Sequence, residues 1–309
     1  MWLPNSTRPS VSGFPSIRGT TALVGVLGDP VHHSLSPVMQ NAALQAMGLD
    51  WVFLALPAAA NQLPAVVRGL EAMGCRGLNV TIPHKQAVAA LCQELSPLAE
   101  RLGAVNTLVP LAGGGWHGTN TDVEGFCAPL RRCGSSWSGK RAVVLGCGGS
   151  ARAVVAGLVE LGFSSIQLAG RRADALAAFL ADCQAWAPQL QALSWASEDG
   201  SLADALTQAD LVVNTTPVGM ASASNPAAAE ACPLNDGELS ALQSGASVYD
   251  IIYTPRPTQL LQRATSRGCR SFDGLEMLVE QGAAALRLWS GLPEVPVEVM
   301  RQALLEHLP

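Results

Sequence analysis

The feature that most constrains the fold is a six-residue run, Gly146-Cys147-Gly148-Gly149-Ser150-Ala151. It lies between the apolar stretch 141–145 and the Ala/Val-rich stretch 151–162. A strand, a GxGxxA turn and a helix in that order open a βαβ unit built to hold an anion. The first glycine permits a tight turn. The second lets the backbone approach a pyrophosphate, and the small sixth residue lets helix and strand lie close together. The helix N-terminus then adds N–H donors and the positive end of its dipole. The bland alternative is a tight turn with no ligand, and the flanking strand and helix weigh against it. Gly146, Gly148, Gly149, Ser150 and Ala151 are therefore the first cofactor-binding candidates.

Strand-like runs recur from there: 141–146, 165–170, a weaker 192–197, 211–216, 247–252 and 269–272, with helical stretches between several of them. Six strands alternating with helices fit a doubly wound dinucleotide domain. The second strand of such a unit ordinarily ends near an acid that bonds a ribose 2′-hydroxyl. This chain has Gly170-Arg171-Arg172 there. Two guanidinium groups suit a 2′-phosphate, and the missing acid removes repulsion of it. NADP(H) is thus expected over NAD, the alternative being a solvated basic turn.

The first half alternates likewise. Runs 22–27, 51–56 and 78–82 read as buried strands. Ser36 before Pro37, with Gly48 past the end, predicts a helix with Ser36 as N-cap. A second helix is expected at 61–73, closed by Gly74, and a third continuing from Pro83. The alternation implies a mainly parallel sheet, while 107–120, with three glycines at its turn, reads as a hairpin. Residues 274–309 are mostly helical and amphipathic. The expectation is an α/β chain of two domains: an N-terminal substrate domain at 22–121 plus 274–309, and a Rossmann-type domain at 122–273. Residues 1–21, rich in Ser, Pro, Thr and Arg, read as a disordered extension, with a short transit peptide as the alternative. Segment 221–237 reads as a surface excursion.

With 14% charged residues and a net charge of −5, there is no footprint for nucleic acid and no polybasic membrane patch. No apolar run approaches the length of a membrane span. The eight cysteines form no CxxC pair and suit reduced thiols in the cytoplasm better than a disulfide framework. His32-His33 lacks further ligands at matching spacing, so no metal is expected.

Four polar islands sit at the ends of apolar strands, where loops make side chains available for chemistry. Ser34 and Ser36 place two hydroxyls near a helix start, suited to a carboxylate, unless Ser36 is only a cap. In Asn79-Val80-Thr81, strand alternation puts Asn79 and Thr81 on one face. Lys85 follows at a helix start, where the dipole does not favour a lysine. Asn106-Thr107 and Asn120-Thr121-Asp122 complete the set, with Asp122 readable as a cap. Asp250 and Tyr253 end another strand, where Tyr253 is either a ligand contact or a half-buried core aromatic. A polyhydroxylated acid would use such a lysine, carboxylate and neutral hydrogen-bonders. His84 and His117 are unconvincing as bases.

Together these segments resemble the shikimate dehydrogenase family. GDPVHHSLSP (28–37), NVTIPHK (79–85), GAVNT (103–107) and GTNTD (118–122) are similar to its N-terminal motifs, in order. GCGGSAR (146–152), YDIIYTPRPTQLL (249–261) and DGLEMLVEQGAAAL (273–286) match its later ones. The resemblance covers residues 22–308. It implies an oxidoreductase acting on a CH–OH group, which reduces 3-dehydroshikimate reversibly to shikimate with NADPH, in the shikimate pathway of aromatic amino-acid biosynthesis. It also implies that the C-terminal helices return to the first domain. By this resemblance Lys85 and Asp122 are the catalytic pair. Ser34, Ser36 and Tyr253 take the substrate carboxylate. Thr81, Lys85, Asn106, Asp122 and Gln281 surround the ring hydroxyls. Thr215, Gly219, Met220, Ile251 and Gly274 join the cofactor side. Gly-Arg-Arg stands where many relatives have Asn-Arg-Thr. An NAD-using quinate/shikimate dehydrogenase is the nearest alternative, and Ser34, Ser36, Thr81 and the arginine pair argue against it. A non-catalytic dinucleotide sensor is the other, and the presence of both Lys85 and Asp122 argues against that. Monomer and homodimer both remain open.

Overall fold

The structure is a computed structural model that describes residues 17–195, 200–221 and 225–308. Most of the predicted extension, residues 1–16, therefore lies outside the described residues. Its last part does not: Thr20 and Thr21 each donate a hydroxyl hydrogen bond to the Asp50 carboxylate, both at 2.7 Å.

In the first half the elements run β1 (Ala22–Gly28), α1 (Ser36–Ala46), β2 (Trp51–Pro57), α2 (Leu63–Ala72), β3 (Gly77–Val80), β4 (Glu94–Leu95), α3 (Pro97–Leu102), β5 (Thr107–Pro110), β6 (Trp116–Thr119) and α4 (Asp122–Arg132). The sheet order is β2-β1-β3-β5-β6-β4. β1 lies parallel to β2 and β3, whereas β5 is antiparallel to both β3 and β6. β4 is parallel to β6, so three of the five pairings are parallel, as expected, and the antiparallel ones come with the expected hairpin. A short turn joins only antiparallel neighbours, and Gly114 and Gly115 supply its positive φ values of 92° and 85°.

Two local expectations need correction. Ser36 is the first helical residue of α1, not its N-cap, and no side chain caps that helix. Instead the Ser36 backbone N–H donates to Ser34 Oγ at 3.2 Å. After Pro83 the chain forms only a short 3-10 helix, Ala87–Leu91, so Lys85 sits in a turn before it and not on an α-helix. A buried loop histidine holds that turn: His84 is 1% exposed and its Nε2 lies 2.7 Å from the Ala58 carbonyl oxygen.

The second half is β7 (Arg141–Leu145), α5 (Gly149–Glu160), β8 (Ser165–Gly170), α6 (Ala173–Cys183), β9 (Leu190–Ser194), α7 (Ser201–Gln208), β10 (Leu211–Asn214), α8 (Asp236–Ala241), β11 (Ser247–Asp250), α9 (Gln259–Thr265) and β12 (Arg270–Phe272). All six strands are parallel, in the order β12-β11-β10-β7-β8-β9. That is the doubly wound arrangement, with its switch point between β7 and β10. The inner strands β7, β10 and β11 are buried on both faces, as the centre of a parallel sheet requires, whereas the edge strands β9 and β12 are partly exposed. Segment 221–237, apart from residues 222–224, which lie outside the described residues, carries a 3-10 turn at Pro226–Glu230.

α10 (Leu275–Ser290) and α11 (Val297–His307) then return to the first sheet. Val279, Leu286, Met300 and Leu304 share one buried cluster with Val24, Met39 and Phe53. Val123, Phe126 and Leu130 of α4 join a different cluster, with β7, α5 and Met277. α4 and α10 thus lie side by side between the two sheets.

Candidate active site

The glycine turn is open where a ligand would need it open. Gly146 has φ +101°, and a Cβ there would meet Thr216 Cγ2 at 2.8 Å. A Cβ at Gly148 would meet nothing within 4 Å. α5 begins with no side-chain cap and no acid in its first turn, so its N–H groups face a cavity of about 690 Å³. Gly148, Gly149 and Ser150 line that cavity at one end, and Arg171, Arg172 and Trp195 at the other. Trp195 is a contact that sequence reading missed: the Arg171 guanidinium carbon stands 5.8 Å from the centre of its ring. An acid-free helix N-terminus at one end and two guanidinium groups at the other fit a phosphorylated dinucleotide. Ala151, also proposed for this site, is wholly buried and serves helix–strand packing.

A second cavity, of about 150 Å³, adjoins the first. It is lined by all eight residues expected around the substrate. Ser34 comes from the loop after β1, Ser36 from the first turn of α1, and Tyr253 from the segment after β11. Leu35 joins them by a backbone hydrogen bond to the Tyr253 hydroxyl, and burial raises the phenol pKa above its usual value. Thr81, Lys85, Asn106 and Asp122 form the opposite wall, with Gln281 of α10 nearby. Asn79 also lines this cavity, and its Oδ1 is buried without a partner. Strand alternation had placed it beside Thr81, but nothing in the sequence separated it from a core asparagine.

Lys85 and Asp122 meet directly, with Nζ 2.7 Å from Oδ2 and both side chains largely buried. Asp122 Oδ1 accepts from Asn106 Nδ2 at 2.8 Å. Lys85 and Ser150 line both cavities, and a Cβ at Gly149 would stand 3.9 Å from Lys85 Cβ. The ammonium therefore sits where the two spaces join.

A third, more apolar cavity of about 370 Å³ continues the cleft past Thr215, Met220, Ile251 and Tyr253. Gly219 and Gly274 hold backbone rather than open space. A Cβ at Gly219 would lie 3.1 Å from the Ala231 carbonyl oxygen, and one at Gly274 would lie 2.0 Å from that of Ile251. Gly274 borders the 150 Å³ cavity rather than either of the other two. His32 and His33 stack edge to face at 5.7 Å. Among the described residues no cluster of three or more His, Cys, Asp or Glu could hold a metal ion.

A dinucleotide cavity that opens onto a polar pocket through a single ammonium group is the arrangement of a two-sheet, nicotinamide-dependent dehydrogenase. Residues 26–108 match the family model for the shikimate dehydrogenase substrate binding domain, and residues 274–305 that for the shikimate 5′-dehydrogenase C-terminal domain. The NADP(+) shikimate dehydrogenase of Synechocystis sp. is 50% identical, over 96% of this chain and 99% of its own. The shikimate 5-dehydrogenase of Listeria monocytogenes, solved with shikimate and NAD, is 31% identical with TM-score 0.83, covering 94% of this chain and 99% of its own. That of Thermus thermophilus, solved with NADP(H) and shikimate, is 33% identical with TM-score 0.79, covering 93% and 100%. The chain belongs to the shikimate dehydrogenase family.

Proposed function

We propose that this chain reduces 3-dehydroshikimate reversibly to shikimate with NADPH, and that the Lys85–Asp122 pair carries the proton chemistry. The observation that supports it most is the 2.7 Å contact of that pair at the junction of the two cavities. When bound, NADPH supplies the hydride. Lys85 Nζ holds a proton beside the reacting oxygen, gives it in the reduction, takes it back in the oxidation, and offsets negative charge as it develops. Asp122 orients both the ammonium and the hydroxyl. Ser34, Ser36 and Tyr253 present three hydroxyls to the carboxylate. Thr81 and Gln281, with the unpartnered Asn79 Oδ1, suit the ring hydroxyls, and Asn106 holds Asp122 beside them. The N–H groups at Gly148–Ser150 face the pyrophosphate, and Arg171 and Arg172 the 2′-phosphate. The first sheet with α10 and α11 acts as the substrate domain, and residues 122–273 as the dinucleotide domain. Eight free thiols favour a cytoplasmic setting.

The test is the rate of nicotinamide absorbance change with shikimate or quinate, each paired with NADP or NAD. Fast turnover with shikimate and NADP, and much slower turnover in the other pairings, is the expected result. Faster turnover with quinate or NAD would move the chain to a different specificity within the family and overturn the reading of Arg171 and the serines.

A further inference from the structure

Behind the Lys85–Asp122 pair lies a closed set of buried polar side chains that touches neither large cavity. Asn106 is 2% exposed, Thr107 0% and Thr121 5%, and neither threonine lines any part of the cleft. The question they answer is which way the Asn106 amide points. Turned one way it gives Asp122 a donor; turned the other, it sets an oxygen against the carboxylate.

The partners leave one solution. The Thr121 backbone N–H, which can only donate, is 2.7 Å from Asn106 Oδ1. That atom is therefore oxygen, and Nδ2 faces Asp122 Oδ1. Thr107 completes the acceptor's shell. Asn79 Nδ2 donates to the Asn106 carbonyl oxygen at 3.3 Å and to Thr107 Oγ1 at 3.2 Å. The Thr107 hydroxyl accepts from Asn79 and lies 2.9 Å from Asn106 Oδ1 and 3.2 Å from Thr121 Oγ1, whose own hydroxyl is 3.2 Å from Asn106 Oδ1. The second Nδ2 proton goes to Thr121 Oγ1 at 3.0 Å. Every donor and acceptor of the amide is then satisfied, and a chain of bonds runs Asn79, Thr107, Asn106, Asp122. Hydrogen bonds in such a chain polarise one another.

We propose that Thr107 is a positioning residue for the reaction: its hydroxyl, with the Thr121 N–H, fixes the Asn106 amide so that Asp122 always meets a donor and keeps its second oxygen for Lys85. The proposal rests on the reading that Lys85 and Asp122 are the catalytic pair.

The experiment is a double-mutant cycle on the full chain with Thr107→Val and Asp122→Asn. Shikimate turnover is measured alongside NADP affinity and thermal stability. Thr107→Val should lower kcat by about tenfold, the effect of one buried hydrogen bond, with NADP affinity unchanged. In the Asp122→Asn background the same change should lower kcat less than about twofold, because the carboxylate it serves is gone. Thr107→Ser, which keeps the hydroxyl, should recover most of the loss. If Thr107→Val proves poorly folded, Thr107→Ala takes its place in the cycle. Full turnover in Thr107→Val or Thr107→Ala, equal losses in both backgrounds, or no recovery with Ser would each overturn the proposal. Full turnover in Asp122→Asn alone would overturn the assignment of the catalytic pair instead, and is read separately.

Discussion

Lys85 occupies a turn held from beneath by a buried histidine, and its ammonium reaches a carboxylate from α4, an element far along the chain. Lys85→Met or Asp122→Asn should lower kcat by about a hundred- to ten-thousandfold, the range for losing a general acid–base group. NADP binding, followed by fluorescence titration, should persist in both; equal turnover would remove the pair from the mechanism. At the other end of the cleft, Arg171→Ala should raise the KM for NADP by about tenfold or more, since a charge-assisted bond to phosphate is lost. It should change the KM for NAD little. Trp195→Ala should move in the same direction but less, because the ring only orients the guanidinium. Much of this site was legible in the sequence because its residues fall at the ends of apolar strands, where polar side chains stand out. Trp195 was not, since a tryptophan in a weak strand reads as core. The partner of Lys85 was not legible from spacing either, because sequence separation does not show which loops meet.

At the scale of elements, the parallel sheet was readable from its apolar runs and the antiparallel β5–β6 pair from the glycines of its turn, whereas the short edge strand β4 was not. The 3-10 turn after Pro83 reflects loop packing around His84 rather than any local helix signal. The segment after β11 shows how tertiary contacts tune one element. Asp250 is fully buried, and its carboxylate accepts from Thr258 Oγ1, Asn214 Nδ2 and the Ile252 N–H. Thr258 in turn caps α9, so this one carboxylate ties together β10, β11 and α9. Burial outweighs those bonds and raises the Asp250 pKa from 3.8 to about 6. Between those values the folded state keeps a proton that the unfolded chain has lost. Stability therefore falls as pH rises through that window, by an amount on the order of 3 kcal/mol at most. Denaturation across about pH 4 to 7 should show this fall in the parent and not in Asp250→Asn. Parallel curves would rule it out.

Across the whole molecule, the two sheets meet through α4 and α10. Arg132 pairs with Glu276 and Glu280, and Arg287 with Glu124. These pairs are partly exposed and contribute little each. The closer constraint is Gly125, where a Cβ would stand 2.6 Å from the Met277 carbonyl oxygen and 2.9 Å from Gln281 Cβ. Gly125→Val should destabilise the protein by about 1–3 kcal/mol, as overpacking does. It should also raise the KM for shikimate, because Gln281 borders the small cavity. An unchanged KM would separate the helix contact from the site. The return of α10 and α11 has a further consequence for synthesis. Val24, Met39 and Phe53 precede the second sheet in the chain, and Val279, Leu286, Met300 and Leu304, which complete their core, follow it. The second sheet is continuous in the chain, so its strands can pair before the first core is complete, against the usual N-terminal-first order. The first core therefore cannot close until the chain has passed through the whole of the second sheet.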